Sequence, residues 1–491
     1  MTCSTERMLP VTSPASTRLC DDLLSRLTRA LDCLIEAGRP YHGLFPSMLD
    51  RRTGRMLTDA PPPIEGQRPW DRAYTGSNLI HDESTLRTMY ALADALDRPD
   101  FAEAADAYLR RFATHCTNTA TGLFPWGEHS FWHLAEDRVG NSYRDDPERS
   151  HDQPAIHDHL RQTPLWLWEK LQQFNPNCVE RFAEGLDFHW IEGKREEYIR
   201  HAYIEQRQYH PRGQRACDFP RHGGFYILDW AFAYAHTGRE DFTRQMRDML
   251  DHWWPKRDER GLLLSESRSP TDDADFLGIN GPGQTISLAT SLLESADLLN
   301  DHAGELAATM RQRAATYIDG FFAAPHDLSA NVFVISSRRD DNTVSKAMPI
   351  WGSRYGLWPA SYVALTCLCA YRIIEDDRLL AWAEAVGRAY ATQPFSRDSV
   401  VPAMDAGLGL GVMADLYAIT GEARWQQDAL RIAEQLIDIY FDDPPLPRSA
   451  AGIDWYESQM GPGFLLHGLA RTALLTRDRD TCPLDADYTS R

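Results

Sequence analysis

Between Thr121 and His201 the chain gathers seven histidines, several carboxylates and an Arg-His pair, the densest set of groups in the sequence that could do chemistry. The stretch opens Thr121-Gly-Leu-Phe-Pro-Trp126-Gly-Glu128-His129, passes through Ala155-Ile-His157-Asp158-His159-Leu-Arg161 and closes on Tyr198-Ile-Arg200-His201. Neutral imidazole offers a nitrogen lone pair and Asp or Glu an anionic oxygen, so this mixture suits a divalent cation or an acid/base site.

Each part of the stretch also has a plainer reading. If the segment after the Phe-Pro-Trp-Gly turn is helical, His129 and His133 share a face, a spacing at which two imidazoles can bind one cation; otherwise they are hydrogen-bonded loop residues. Asp158, within His157-Asp158-His159, precedes a helix rich in Trp and Leu, where a carboxylate is favoured as a cap on dipole grounds alone. Arg161 fits a substrate carboxylate or a neighbouring Glu equally well. Arg200-His201 interrupts the helical pattern with β-favouring residues, and a guanidinium is a natural partner for a sugar carboxylate.

Further candidates lie downstream. Arg221-His222-Gly-Gly reads as a turn, and Lys346 and Arg354 flank Pro349-Ile-Trp351-Gly, a basic-aromatic loop suited to an anionic sugar. Residues 76–82 and Asp454-Trp455-Tyr456-Glu457 are polar-aromatic loops of the same kind. Trp126, Trp351, Trp455 and Tyr456 stand beside Gly, Pro or charged residues, where they serve either as sugar-stacking platforms or as seams between helices. Gly407, Gly409 and Gly411 fall inside a helical pattern and match close helix packing, not a phosphate loop; no nucleotide or haem site is expected.

The elements that must position these groups are helices. Apolar residues recur at three- and four-residue spacing in segment after segment, from Leu23–Ala37 to Gly461–Leu475. Tight turns such as Thr237-Gly-Arg-Glu-Asp-Phe242 and Thr420-Gly-Glu-Ala-Arg-Trp425 join neighbours. Antiparallel helix pairs repeated in this way build an α/α toroid of six or seven hairpins. Long polar connections are expected to gather at one rim, since loops beyond about 12 to 15 residues are usually functional or disordered. A few short β-hairpins, with residues 331–336 and 261–264 the best strand candidates, complete an all-α fold. The expected boundaries are a tail over 1–20, one catalytic domain over 21–475 and a tail over 476–491.

The net charge of −20, from 51 Lys plus Arg against 71 Asp plus Glu, gives no electrostatic footprint for nucleic acid or an anionic membrane. No window approaches a transmembrane span, and the first residues lack the apolar core of a secretory signal. Nine cysteines without zinc spacing read as reduced core thiols of a cytoplasmic protein.

Taken in order, the Gly-Leu-Phe-x-Trp-Gly-x-His segment, the His-acid-hydrophobic-basic segment leading to a helix that ends Phe174-Asn-Pro176, and the later Arg-His pair resemble the family 2 pectate lyases. That resemblance implies an α/α barrel that cleaves α-1,4-linked polygalacturonate by β-elimination. It also implies a transition-metal ion such as Mn2+ held by two His and one acid, with an adjacent Arg as base. Position by position, His129, Asp158 and His201 become the metal ligands and Arg200 the base. This chain departs from the family in having Asp where Glu is usual, and His157 and His159 beside it are competing ligands.

The expected function is metal-assisted elimination on a uronate-containing poly- or oligosaccharide. Arg200, His133 and His222 are the candidates for proton transfer, and Trp126, Arg161, Arg221, Lys346, Trp351, Arg354, Trp455 and Tyr456 those for substrate contact. A glycoside hydrolase on the same scaffold, using paired carboxylates from Asp82, Glu128, Asp158, Asp229, Asp405 or Glu457, is the alternative. An epimerase-type enzyme or a non-catalytic sugar-binding protein is a third. The sequence leaves the oligomeric state open.

Overall fold

A computed structural model describes residues 13–142, 154–212, 216–269, 277–326, 332–352, 359–395 and 399–490. Among them are fourteen α-helices: α1 (Pro14–Gly38), α2 (Leu79–Ala95), α3 (Pro99–Arg111), α4 (Leu165–Phe174), α5 (Pro176–Gly185), α6 (Pro220–Thr237), α7 (Glu240–Trp253), α8 (Pro282–Leu299), α9 (Gly304–Ala323), α10 (Ala360–Ile374), α11 (Asp377–Thr392), α12 (Ala403–Thr420), α13 (Ala423–Tyr440) and α14 (Pro462–Arg477).

Two kinds of helix alternate. The even-numbered α6, α8, α10, α12 and α14 are buried over most of their circumference; α12, for example, is covered from Ala403 to Leu410 without a break. A helix apolar all round must sit inside. The odd-numbered partners bury one stripe, as α7 does with Phe242, Met246, Met249, Leu250 and Trp253, and keep charged residues outside. Six consecutive hairpins, α2–α3 through α12–α13, and a seventh made by α14 with α1 form the all-α toroid; α14 packs on both α12 and α2, which closes the ring. Two boundaries differ from expectation. Helix α1 opens at Pro14, inside the expected tail. Beyond Arg477 the chain packs back on the ring, with Tyr488 Oη donating to Asp415 Oδ2 (2.7 Å) and the Gln162 amide donating to the Thr489 carbonyl (3.1 Å).

Short strands precede the inner helices: β1 (Met48–Leu49), β2 (Gly76–Ser77), β3 (Ser130–His133), β4 (Arg138–Asn141), β5 (Ile156–Asp158), β6 (His201–Tyr203), β7 (Ala216–Asp218), β8 (Ser267–Ser269), β9 (Ile279–Asn280), β10 (Val332–Arg338), β11 (Val344–Pro349) and β12 (Tyr456–Glu457). β2, β7 and β9 lead directly into α2, α6 and α8, and β12 reaches α14 through a 3-10 turn at Ser458–Met460. The ladders therefore stand over the N-terminal ends of inner helices, where unpaired N–H groups and the helix dipoles favour anions. Residues 261–264 form only isolated bridges, Arg257 with Leu263 and Leu264 with Asn280, in place of the expected strand.

Candidate functional site

Three backbone devices bring the centre together. Strands β5 and β6 pair antiparallel with Asp158 opposite His201. The turn before β3 delivers His129 to the same place because Gly127, at φ +98°, lies so close to the Asp158 carbonyl that a Cβ would sit 2.1 Å from it. Only glycine fits both the backbone angle and the gap. Asn78, at the start of α2, fixes the turn by donating Nδ2 to the Gly127 carbonyl at 2.8 Å.

One ligand atom each from His129, Asp158 and His201 falls within a mutual 4.8 Å. The His129 and His201 rings are 4.8 Å apart, and His201 Nε2 is 3.9 Å from Asp158 Oδ2. His129 Nδ1 donates to the Trp70 carbonyl at 3.3 Å, with Asp71 Oδ1 3.5 Å from the same nitrogen; this leaves Nε2 as the lone-pair nitrogen. Burial lowers the His129 imidazole to about 4 and pushes His201 well below the usual histidine value. Both rings are neutral at pH 7, the form that can ligate.

A ring of charge surrounds the trio. Arg200 Nη1 stands 3.3 Å from Glu128 Oε2 and 3.4 Å from Asp158 Oδ2, and Arg68 binds Asp71 at 2.6 Å and Glu128 at 3.4 Å. Burial alone would raise the Glu128 carboxyl, but Arg200, His129, Arg68 and Arg221 hold it below the ordinary carboxylate range. Burial and then Glu128 raise Asp71. For Asp158 burial dominates and raises the carboxyl against the pull of Arg200. Among the described residues no donor makes a hydrogen bond to either oxygen of Asp158 or to His201 Nε2, though all three atoms are buried. Buried polar atoms left so are rare and call for a missing partner. Two imidazole nitrogens and a carboxylate are a donor set that fits a divalent transition ion. Asp71, Glu128 and His129 form a second such group sharing His129.

The other expected residues divide. Arg221, in the first turn of α6, faces Arg200, Asp158 and Glu128, and burial followed by the repulsion of Arg200 lowers its guanidinium to about 10. Arg161 lies on the floor formed by the starts of α2, α12 and α14: Nη1 is 3.5 Å from the Ile80 carbonyl, Nη2 is 3.2 Å from Met404 Sδ, and the guanidinium is 4.6 Å from the Phe464 ring. No carboxylate pairs with it among the described residues. His222 is buried between Phe219 and Phe225, near Arg221 and Arg200, with neither ring nitrogen hydrogen-bonded.

Several expectations are corrected. His133 ends strand β3, not a helix turn, so it lies roughly 13 Å of extended chain beyond His129 and takes its Nδ1 bond from the Glu136 amide. Asp158 is the last residue of a strand and caps no helix, since α4 starts only at Leu165. Trp126 is wholly buried and donates to His157. Trp351 packs on Tyr390 and Phe395. Tyr456 is core, paired with Leu49 in the β1–β12 ladder. Trp455 is tied to Glu457 at 3.0 Å. Lys346 is exposed on the β10–β11 hairpin, and Arg354 falls outside the described residues. Asp71, Arg68 and Trp70 were not singled out from sequence, and His81 entered only as part of the candidate loop 76–82. His81 stands in the first turn of α2 near Arg161 and Glu128, with neither ring nitrogen hydrogen-bonded.

Among the alternative carboxylates, Glu457 is committed to Arg72 at 2.7 Å on each oxygen, with Gln67 and Trp455 beside it. Asp229 is held by His159 at 2.5 Å and Trp168 at 2.9 Å. Asp82 accepts from Tyr108 at 2.8 Å, and burial pushes both Asp82 and Asp405 up to about 8.

The segment that carries the site is that of a carbohydrate-active enzyme. Residues 56–252, which include the trio and Arg200, match the family of periplasmic pectate lyases. No curated protein matches the chain. Solved structures with a similar course are an unsaturated glucuronyl hydrolase from Bacillus sp. GL1 (10% identity, 96% of this chain and 99% of that one, TM-score 0.45), a sugar epimerase from a ruminal bacterium (11%, 77% and 88%, 0.47) and a cellobiose 2-epimerase from Spirochaeta thermophila (14%, 94% and 99%, 0.44). The family's periplasmic description overturns the expectation of a cytoplasmic protein. The thiols misled because packing explains them: Cys20, Cys33, Cys116, Cys178, Cys367, Cys369 and Cys482 are free, and burial raises Cys178 to about 12 and Cys33 to about 11. A thiol so suppressed is inert in either compartment.

Proposed function

We propose that the chain is a lyase that cleaves uronate-containing poly- or oligosaccharide by β-elimination with the help of a divalent cation. The observation that carries this reading is the meeting of His129, Asp158 and His201 around a carboxylate whose buried oxygens accept no hydrogen bond among the described residues and face the Arg200 guanidinium at 3.4 Å. Those three residues would hold the ion, which supplies positive charge for the substrate carboxylate as negative charge develops on it. Arg161 supports an acidic sugar independently: a buried guanidinium without a carboxylate partner among the described residues is costly unless an anion joins it. Arg221 brings a second positive charge to the same side.

Elimination removes the proton at C5 and breaks the bond from C4 to the departing oxygen. Reach comes before acidity in choosing a base. Arg200, 16% exposed at the edge of the trio, is reachable, whereas His222 is neutral but sealed beneath its neighbours. Arg200 is the base of this reading, as the family resemblance implies. Arg200 can take the C5 proton only as a neutral guanidine, so it must first release its own proton to solvent, and the departing oxygen takes up a proton from solvent as it leaves; Glu128 and Asp158 stand 3.3 and 3.4 Å from Arg200 Nη1. Incubation with polygalacturonate should generate the ultraviolet absorbance of an unsaturated product, lost on chelation and in Arg200→Ala.

A second reading has one observation in its favour. Glu128 and Asp158 both reach Arg200 Nη1 while their carboxyls are driven in opposite directions, the pattern of an acid and a base in glycoside hydrolysis. New reducing ends without ultraviolet absorbance would select it.

A further inference from the structure

Behind the trio runs a line of buried hydrogen bonds, joined by Tyr226 at its last ring, that no catalytic step uses. Trp126 Nε1 donates to His157 Nε2 at 2.9 Å, His157 Nδ1 lies 2.9 Å from His189 Nε2, and His189 Nδ1 lies 2.7 Å from the Ile199 carbonyl. Indole can only donate and a carbonyl can only accept. Direction is therefore forced throughout: each imidazole carries its one proton on Nδ1 and accepts on Nε2. Protonating either ring would set two donors face to face. The Ile199 amide returns a bond to the His189 carbonyl at 2.9 Å, and Tyr226 Oη stands 3.2 Å from His189 Nδ1.

The line begins and ends at the segments that carry the site. Trp126 opens the turn that delivers Glu128 and His129, His157 precedes Asp158 in β5, and Ile199 precedes Arg200 and His201. Alternation along β5 turns Asp158 toward the trio and His157 toward the core. An apolar core could fill the same volume without desolvating two imidazoles. What it could not do is fix the register of three separate segments with directional bonds.

We infer that Trp126, His157 and His189 are positioning residues: this Trp-His-His line sets the spacing of His129, Asp158 and His201. The inference rests on the proposed cation centre. Titration of the protein with Mn2+, followed by electron paramagnetic resonance, is compared for wild type, Trp126→Phe, His157→Phe and Phe182→Leu. Phe182 packs on both Trp126 and His157 (5.4 Å each) but donates nothing, so it reports loss of packing alone. Trp126→Phe and His157→Phe should weaken Mn2+ binding ~10- to 100-fold and shift the ring nitrogen resonances of His129 and His201 in metal-free protein, while Phe182→Leu does neither. Wild-type affinity and unmoved resonances in Trp126→Phe, or the same losses in Phe182→Leu, overturn the inference. If wild type itself binds no Mn2+, the cation centre falls, and the ring resonances alone decide: moved in Trp126→Phe but not in Phe182→Leu they uphold the positioning line, otherwise they end it.

Discussion

Two buried aspartates, Asp158 at the end of a rim strand and Asp415 within an inner helix, illustrate how the same side chain serves different ends. Asp415, on α12, takes Arg372 at 2.8 Å and Arg471 at 2.7 Å on one oxygen and Tyr488 at 2.7 Å on the other. Burial would raise its carboxyl, but Arg471 and Arg372 hold it below the ordinary value. Asp158 is just as buried, yet neither oxygen accepts a hydrogen bond and its carboxyl is raised. A buried charge that is fully satisfied belongs to the architecture. One whose oxygens accept no hydrogen bond among the described residues and face Arg200 at 3.4 Å is what the proposed cation centre calls for.

The sharpest way to break this contrast is to delete both carboxylates. Asp415→Ala leaves Arg471 buried without its partner and should cost about 3–5 kcal/mol in chemical denaturation. Asp158→Asn should leave the denaturation midpoint at or above wild type while abolishing chelator-sensitive activity. Equal destabilisation of both variants would erase the distinction.

Gly127→Ala comes next. Strain and the clash with the Asp158 carbonyl should cost about 1–3 kcal/mol and lower activity further than the stability loss explains, read from kcat/KM beside a melting curve.

Acidity separates the aspartates more gently. With its pKa depressed in the fold, Asp415 contributes stability that is complete above the unfolded aspartate value and is lost as pH falls through the lower folded value. Asp415→Asn should therefore flatten the acid limb of a stability-against-pH curve; an unchanged limb would show that other carboxylates govern it. The smallest effect is reserved for Lys346→Ala, exposed on its hairpin, which should stay within about 0.5 kcal/mol of wild type.

The ring was legible because apolar residues recur at helical spacing and tight turns join neighbouring helices into antiparallel pairs; the division into inner and outer helices came only with the structure. Helix α5 escaped notice because Pro176 follows only two residues after Phe174, which reads as an ending although Pro also opens a helix. The site was half legible. His129 and His133 stand four apart, a separation that puts side chains on one face of a helix and of a strand alike, so spacing could not distinguish β3 from a helical turn. Tryptophans beside Gly and Pro read as loop platforms, but their turns fold onto the core, and Trp126 and Trp351 are covered. Asp71 and Trp70 were invisible because they reach His129 across 58 and 59 residues of chain, and only the closed ring brings them there.

Whether the trio is a cation centre is tested most directly by anomalous diffraction at the manganese edge from crystals soaked in Mn2+. A single peak should lie between the imidazoles of His129 and His201 and the carboxylate of Asp158, and vanish in His201→Ala. A peak only at another cluster, or none at an occupancy that saturates the edge signal elsewhere in the lattice, would contradict it.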